Sequence, residues 1–344
     1  MHADRHLLLT LRAQGLLGRA PKGSLLKVAR RLVALQAQIP STPFLSLAAR
    51  VEGLKAKDVE KELHEHKSLL RVWCLRLTLH VVATEDLPLL YAAVMRDGYE
   101  QVLSILRRHD GLAPKEIKAA ERAMLREFRK GPLTRSELRE RIPGFWIKTY
   151  WGREIRCLAQ KGLVVHAGRK GGEALFDLRE RWAPQSALGR MTVREARREL
   201  LLRYLAAYGS ATPRDFAYWT GLRVRDVLPA FEDARAELRE EDGLFARRGD
   251  AAGPRGPLPD RLLPRFDGLV LGHKDKSRYL DPRDQAKVFR PAAVVEPVVL
   301  ACGRVAGTWG YDDPRRQRLF RPVPEAAGRR LDRESRRVAR LLSL

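Results

Sequence analysis

Two glutamines, Gln36 and Gln38, stand in the stretch Leu35-Gln36-Ala37-Gln38-Ile39-Pro40, where the surrounding pattern calls for apolar side chains. A carboxamide does not titrate in the range of the ionisable side chains, so it is no general base. It both donates and accepts hydrogen bonds. A pair of them can hold a water against a reacting centre, which is positioning rather than proton abstraction. The plainer reading is that glutamine is a good helix former at a fraying helix end.

Other chemistry finds little support. There is no GxxxxGK[ST] loop, no convincing GxGxxG, no serine-hydrolase elbow and no zinc spacing. His64 and His66 are two apart on a charged helix, the wrong spacing for paired ligands on one face. Cys74, Cys157 and Cys302 are far apart with apolar neighbours, which reads as buried thiols in a reducing compartment. No lysine stands out as an amine nucleophile. No metal, nucleotide or other cofactor is implied. Arg76 and His80 are four apart in a run that reads as strand, so they share a side. His80 then either orients a ligand or fills a core position.

The elements that must position these residues can be read in order. Leu25, Val28, Leu32 and Leu35 form one stripe of a helix from Ser24 to Gln38, stopped by Pro40. Two residues two apart point about 200° apart on an ideal helix, so the glutamines can share a focus only if the helix is ending there. Further helices are expected at Pro43–Val51, Lys57–His66 and Thr84–Leu106, with strands at Val72–Trp73 and Leu77–Ala83. Next come a helix at Lys115–Lys130 and a capping box at Thr134-Arg135-Ser136-Glu137. A turn at Pro143-Gly144, a helix at Lys148–Lys161 and a hairpin around Gly168–Gly172 follow. A third group has a capping box at Thr192-Val193-Arg194-Glu195, a helix from Pro213 to Thr220, another at Val224–Glu240, and a first wing strand at Gly243–Arg248. Gly249–Pro259 reads as a linker. Beyond it lie a buried strand at Phe266–Leu271, a polar loop at His273–Arg278, a hairpin of Ala293–Ala301 with Arg304–Trp309, and an Arg-rich helix at Glu325–Leu344.

The fold class is therefore mainly α with small β wings: three tandem winged helix-turn-helix units, then a β-hairpin and helix segment. The expected boundaries are 1–111, 112–189, 190–250 and 251–344. The chain has 344 residues and carries 66 Lys and Arg against 42 Asp and Glu, a net charge of +24. That excess points to a polyanion, most often nucleic acid; a membrane surface is the competitor, and a merely basic surface the bland alternative. The start of the chain lacks the pattern of a signal peptide, and no apolar run approaches the roughly 20 residues needed to span a bilayer. A cytoplasmic, nucleoid-associated monomer is expected.

Four stretches carry a resemblance. They are Arg31-Leu-Val-Ala-Leu-Gln-Ala-Gln-Ile-Pro with Ala49-Arg50; Arg76-Leu77-Thr78-Leu79-His80-Val81-Val82; Leu263-Pro264-Arg265-Phe266-Asp267-Gly268-Leu269 through Lys276; and Gly303-Arg304-Val305-Ala306-Gly307-Thr308-Trp309. In this order they resemble the bacterial winged-helix DNA glycosylases of the AlkZ/YcaQ type over nearly the whole chain. The resemblance implies three winged helices in a C-shaped arrangement, and a monofunctional glycosylase acting on bulky or N7-alkylated purines and interstrand crosslinks. It matches Gln36 and Gln38 to the family's Gln-x-Gln motif, the form linked to self-resistance against crosslinking natural products rather than to general repair. It makes Arg76, His80, Asp267 and His273 candidates for support of the site. Phosphate contacts are expected from Arg19, Lys22, Arg50, Arg169, Lys170, Lys274 and Arg278. The partner is double-stranded DNA carrying alkylated or crosslinked purines. The alternative is a non-enzymatic winged-helix regulator; an RNA-binding protein lacks the expected aromatic stacking motifs.

Overall fold

A computed structural model describes residues 2–142, 153–251 and 257–343. The chain forms two compact units, one of residues 1–59, 201–219 and 223–344, the other of 60–200 and 220–222. Helices predominate, the sheets are small and antiparallel, and no described helix is long and apolar enough to cross a membrane.

In the first unit, helix His2–Ala13 packs Leu7 and Leu11 against Leu263, Leu269, Val270, Tyr279, Val298 and Leu300 in one apolar core. Four antiparallel strands lie in the order Gln317–Leu319, Arg304–Trp309, Val298–Ala301, Arg261–Leu263. The central hairpin turns through Cys302 and Gly303, both at positive φ (47° and 76°). That pair of left-handed residues is what a two-residue hairpin of matching twist requires. A second core is aromatic: Tyr204, Tyr208, Phe216, Trp219 and Phe231 pack ring to ring.

In the second unit, hairpin Leu69–Trp73 with Leu79–Ala83 joins hairpin Val164–Lys170 with Glu173–Leu178 through a pair between Arg71 and His166. Helices Pro114–Phe128, Arg135–Arg141 and Arg153–Gln160 cover it around Phe128, Leu138, Leu158 and Phe176. The capping box at Thr134 forms as read: the Thr134 N–H donates to Glu137 Oε2 at 2.8 Å and Thr134 Oγ1 accepts from the Glu137 N–H at 3.2 Å. The same reciprocal pair forms at Thr192 and Glu195. The long helix after Thr84 contains one π turn, Tyr91–Met95.

Several expectations are corrected. The helix expected to reach Gln38 is Leu25–Leu32, and Leu35–Gln36 is a short strand. Arg76 is not on a strand: it lies in a turn, at φ 54°, between the two strands of its hairpin. The helix expected over Val224–Glu240 ends at Asp233, and Leu238–Glu241 pairs with Leu244–Arg247 instead. Only Leu238 of this strand is buried, which suits a strand on a surface. Phe266–Leu271 is no strand; Gly268–Leu271 is a short helix that Asp267 caps by accepting from the Leu269 N–H at 3.0 Å. A short apolar run fits either state, and the cap decides it. Ala293–Ala301 is two strands, Val294–Val295 and Val298–Ala301, in different hairpins. The Pro143-Gly144 turn, the start of the helix read from Lys148 and residues 252–256 of the Gly249–Pro259 linker lie outside the described residues.

Candidate active site

Helix Leu25–Leu32 stops because Val33 turns left-handed, at φ 65° and ψ −55°. The Ala34 N–H then donates to the Leu32 carbonyl at 2.8 Å. A bond from residue i+2 back to i, with these angles, is the rare γ-turn with positive central φ. A β-branched residue held so costs on the order of 1–3 kcal/mol, and such strain persists only where the surroundings over-determine it. Val33 is fully buried, as are its neighbours Leu32 and Ala34.

Beyond the turn Leu35–Gln36 is a short strand, and the chain bends at Gln38. This resolves the geometric difficulty of a helical Gln-x-Gln pair. Gln36 Nε2 donates to Gln38 Oε1 at 2.5 Å. Gln36 is buried and Gln38 exposed, so the linked amides stand at a rim, one rooted and one open to solvent. Carboxamides in this arrangement offer hydrogen bonds in fixed directions and no titrating group.

Helix Ser41–Ala48 follows the pair directly and is buried from Thr42 onward. Its hold on the rest of the unit is polar. Thr42 Oγ1 donates to the Arg265 carbonyl at 3.1 Å, and Ser46 Oγ to Asp267 Oδ2 at 2.8 Å. Arg50, just past the helix, donates from Nη1 and Nη2 to the two oxygens of Asp267, both at 2.8 Å, and from Nε to the Gln14 carbonyl at 2.8 Å. Arg50 is 1% exposed and Asp267 0%. Burial pushes the Asp267 carboxyl up, but the charge and hydrogen bonds of Arg50 and two further donors, the Leu269 N–H and the Ser46 hydroxyl, outweigh it and hold the carboxyl below its ordinary range.

Asp267 therefore supports the segment that carries the glutamines, through Ser46 and Arg50. Arg50 itself, expected at a phosphate, lies in the core with its guanidinium committed to Asp267 and Gln14. Arg19, also expected there, is largely buried and donates to both oxygens of Glu334 at 2.7 Å. Arg278 is half-buried and donates to the Ser210 carbonyl at 2.7 Å. Lys22, Arg169, Lys170 and Lys274 are exposed. Lys170 pairs with Glu137 at 2.6 Å, and Arg169 donates to the Gly172 carbonyl.

His273 is fully buried; its Nε2 lies 3.3 Å from the Ser210 carbonyl and its Nδ1 has no partner. Burial, then Arg278 and Lys276, push its pKa well down, so the ring is neutral. In the second unit, His80 sits on its strand with Nδ1 2.9 Å from the Thr78 carbonyl and Nε2 3.5 Å from Arg76 Nη2. The carbonyl fixes the proton on Nδ1, leaving Nε2 as an acceptor facing the guanidinium. Burial, then Arg76, pushes the His80 pKa down to about 3. The pairing of Arg76 with His80 was legible, although the strand geometry from which it was read is absent.

Sequence reading missed the partners that complete these contacts. Gln14 and Ser46 close the cage around Arg50. Asp215 forms a capping box with Thr212 and also accepts from the Lys274 N–H at 2.7 Å, anchoring the His273 loop. Thr212-Pro213-Arg214-Asp215 carries the capping-box spacing and was the available signal; Gln14 and Ser46 show only as polar residues within apolar runs.

The neutral histidines set the acid response of the fold. His80, His166 (pushed down to about 4, again chiefly by burial) and His273 all have folded pKa values below the unfolded 6.5. Stability from such groups is complete above pH 6.5 and is lost as pH falls toward the folded value, by up to about 1.4 kcal/mol per pH unit for each. Urea titrations at pH 7.5, 6.5, 5.5 and 5.0 should give midpoints that fall progressively below pH 6.5. Equal midpoints at pH 7.5 and 5.0 would mean that these rings are accessible to protons in the folded protein.

The AlkZ-like DNA glycosylase family matches residues 29–341. An interstrand DNA cross-link repair glycosylase of Streptomyces sahachiroi is 26% identical over 340 residues, covering 91% of this chain and 89% of the relative. The solved structure of Streptomyces sahachiroi DNA glycosylase AlkZ superposes with a TM-score of 0.81 at 26% identity, covering 99% of this chain and 97% of that one. With a family match over that span, and a fold shared end to end, the chain belongs to the AlkZ-like DNA glycosylases.

Proposed function

We propose that this protein is a monofunctional DNA glycosylase that hydrolyses the N-glycosidic bond of bulky or N7-alkylated purines in duplex DNA, with Gln36 and Gln38 orienting the attacking water. The observation that carries the reading is the 2.5 Å amide–amide contact between these two side chains at a buried-to-exposed rim. The name of the Streptomyces sahachiroi relative supports interstrand crosslinks as further substrates. Lys22, Arg169, Lys170 and Lys274 are the exposed cations proposed to meet phosphates, and helix–helix–hairpin groups of the winged type are the elements proposed to carry them.

The chemistry restricts the substrate. Water oxygen bonds to C1′ of the deoxyribose as the C1′–N9 bond breaks, and the electron pair leaves with the base. A purine alkylated at N7 is already cationic and departs neutral, so no acid is needed at the leaving group. The proton released by the water passes to solvent, since no carboxamide can take it. What the amides contribute is the orientation of the water, an entropic saving paid before the reaction. A base tethered to the opposite strand cannot swing into a closed pocket, and a glutamine standing at a rim does not require that it should.

The test is a pair of duplexes, one with N7-methylguanine and one with uracil, each incubated with the pure protein and then treated with alkali. Strand breaks are expected at N7-methylguanine and not at uracil. Efficient uracil excision would overturn the account, because a neutral pyrimidine leaves as an anion that two amides cannot stabilise. Binding to both duplexes with no break in either would return the protein to the class of DNA-binding regulators.

A further inference from the structure

The hairpin Leu238–Glu241 with Leu244–Arg247 bounds an open cleft of about 340 Å³ lined by Arg235, Leu238, Arg239, Glu240, Phe245 and Arg248. Its frame is rigid. The Phe245 N–H and carbonyl pair with Ala211 at 2.8 and 2.9 Å, and its ring meets the edge of Phe231 at 5.1 Å. Arg239 is fixed from behind: it donates to the Asp250 carbonyl at 3.0 Å and lies 3.5 Å from Glu241, yet its buried Nε has no acceptor.

Arg235 and Arg248 are exposed, and neither forms an ion pair among the described residues. Arg248 spends only its Nε, on the Ala236 carbonyl at 3.0 Å, so its fork remains open. Glu240 lies directly opposite Phe245 in the hairpin register and closes one side with negative charge. The cleft thus offers the Arg235 guanidinium and the open fork of Arg248 beside an apolar floor of Leu238 and Phe245. Guanidinium forks match phosphate oxygens, and a fixed aromatic face takes a deoxyribose or a base. The volume suits about one nucleotide.

We infer that this cleft is a backbone subsite for one nucleotide of a DNA strand: the phosphodiester between Arg235 and Arg248, the sugar or base against Phe245. The inference rests on the DNA-acting function proposed above, and adds to it an anchor made of residues that the family motifs do not include. A free nucleotide presents the same chemistry. The DNA strand is favoured because the cleft is open to solvent and Glu240 would repel the second charge of a terminal phosphate.

The experiment compares wild-type protein with Arg235→Gln/Arg248→Gln, using a fluorescent duplex and anisotropy between 50 and 200 mM salt, with a labelled mononucleotide as second probe. Both arginines are exposed, and matching circular dichroism and melting curves establish that the variant folds. The expected result is a variant about tenfold weaker for the duplex at the higher salt, with a salt slope shallower by about 0.9, the value for one lost phosphate. Wild-type binding with an identical slope and affinity in the variant would overturn the subsite and leave the glycosylase reading standing. Absence of duplex binding by the wild type would overturn both. Mononucleotide binding lost in the variant while duplex binding persists would assign the cleft to a free nucleotide and overturn the strand assignment.

Discussion

Gln36→Ala and Gln38→Ala should each lower the single-turnover excision of N7-methylguanine by about 10²–10³-fold, the usual cost of removing one positioning hydrogen bond at a reacting centre. Duplex affinity should change little, because neither residue carries charge. The two variants differ in how clean they are. Gln36 is buried, so its truncation also leaves a small cavity, while the amide of its partner stays open to water. Gln38 is exposed, and its loss touches only the pair. Melting temperatures should therefore fall slightly for Gln36→Ala and stay constant for Gln38→Ala, while both lose activity. Rates within a factor of three of wild type for Gln38→Ala would remove the glutamines from the chemistry. The double variant should be scarcely worse than either single one, since two residues orienting one water act as a unit.

The largest stability effect should come from Asp267→Ala. The Arg50–Asp267 pair has both partners in the core and two parallel bonds of 2.8 Å. Removing one partner leaves a buried charge without compensation, which costs about 3–5 kcal/mol. Ser46 would lose its acceptor and helix Gly268–Leu271 its cap in the same step. Thermal and urea unfolding should both record the loss. The comparison is Glu325→Ala, which breaks an exposed i,i+4 pair with Arg329 and should shift stability by no more than about 1 kcal/mol. An Asp267→Ala protein within about 1 kcal/mol of wild type would mean that the pair is hydrated in solution. Because Ser46 and Arg50 flank the segment after the glutamines, activity should fall together with stability, and Asp267→Asn should recover part of both by keeping an acceptor for Ser46.

How much of this was written in the sequence depends on the kind of signal. Capping boxes at Thr134 and Thr192 were legible because they are local: the two groups that bond lie three residues apart. The glutamine pair was legible as a motif, but its backbone was not. Every residue from Leu32 to Ala37 is buried, and a continuous buried run has no period by which helix and strand can be told apart. The stop at Val33 comes from tertiary burial of a strained turn, and a β-branched residue at positive φ is the last thing propensity would suggest. Arg50 and Asp267 were both picked out, but for different tasks. An arginine in a basic chain reads as a surface cation, and nothing in the sequence near Arg50 shows that its carboxylate lies 217 positions away.

That separation also fixes a schedule. Residues 1–59 belong to a unit whose remaining parts begin only at 201, so the segment bearing the glutamines is made early and completed late. At a synthesis rate of about 5–20 residues per second, roughly 10–40 s pass between the emergence of Arg50 and that of Asp267. During that interval the intervening residues 60–200 emerge, while the glutamine segment waits without its carboxylate. A chain released before residue 267 would carry both glutamines and hold neither in place. Until residue 267 emerges, Arg50 of a nascent or truncated chain lacks the carboxylate that fixes it in the finished fold.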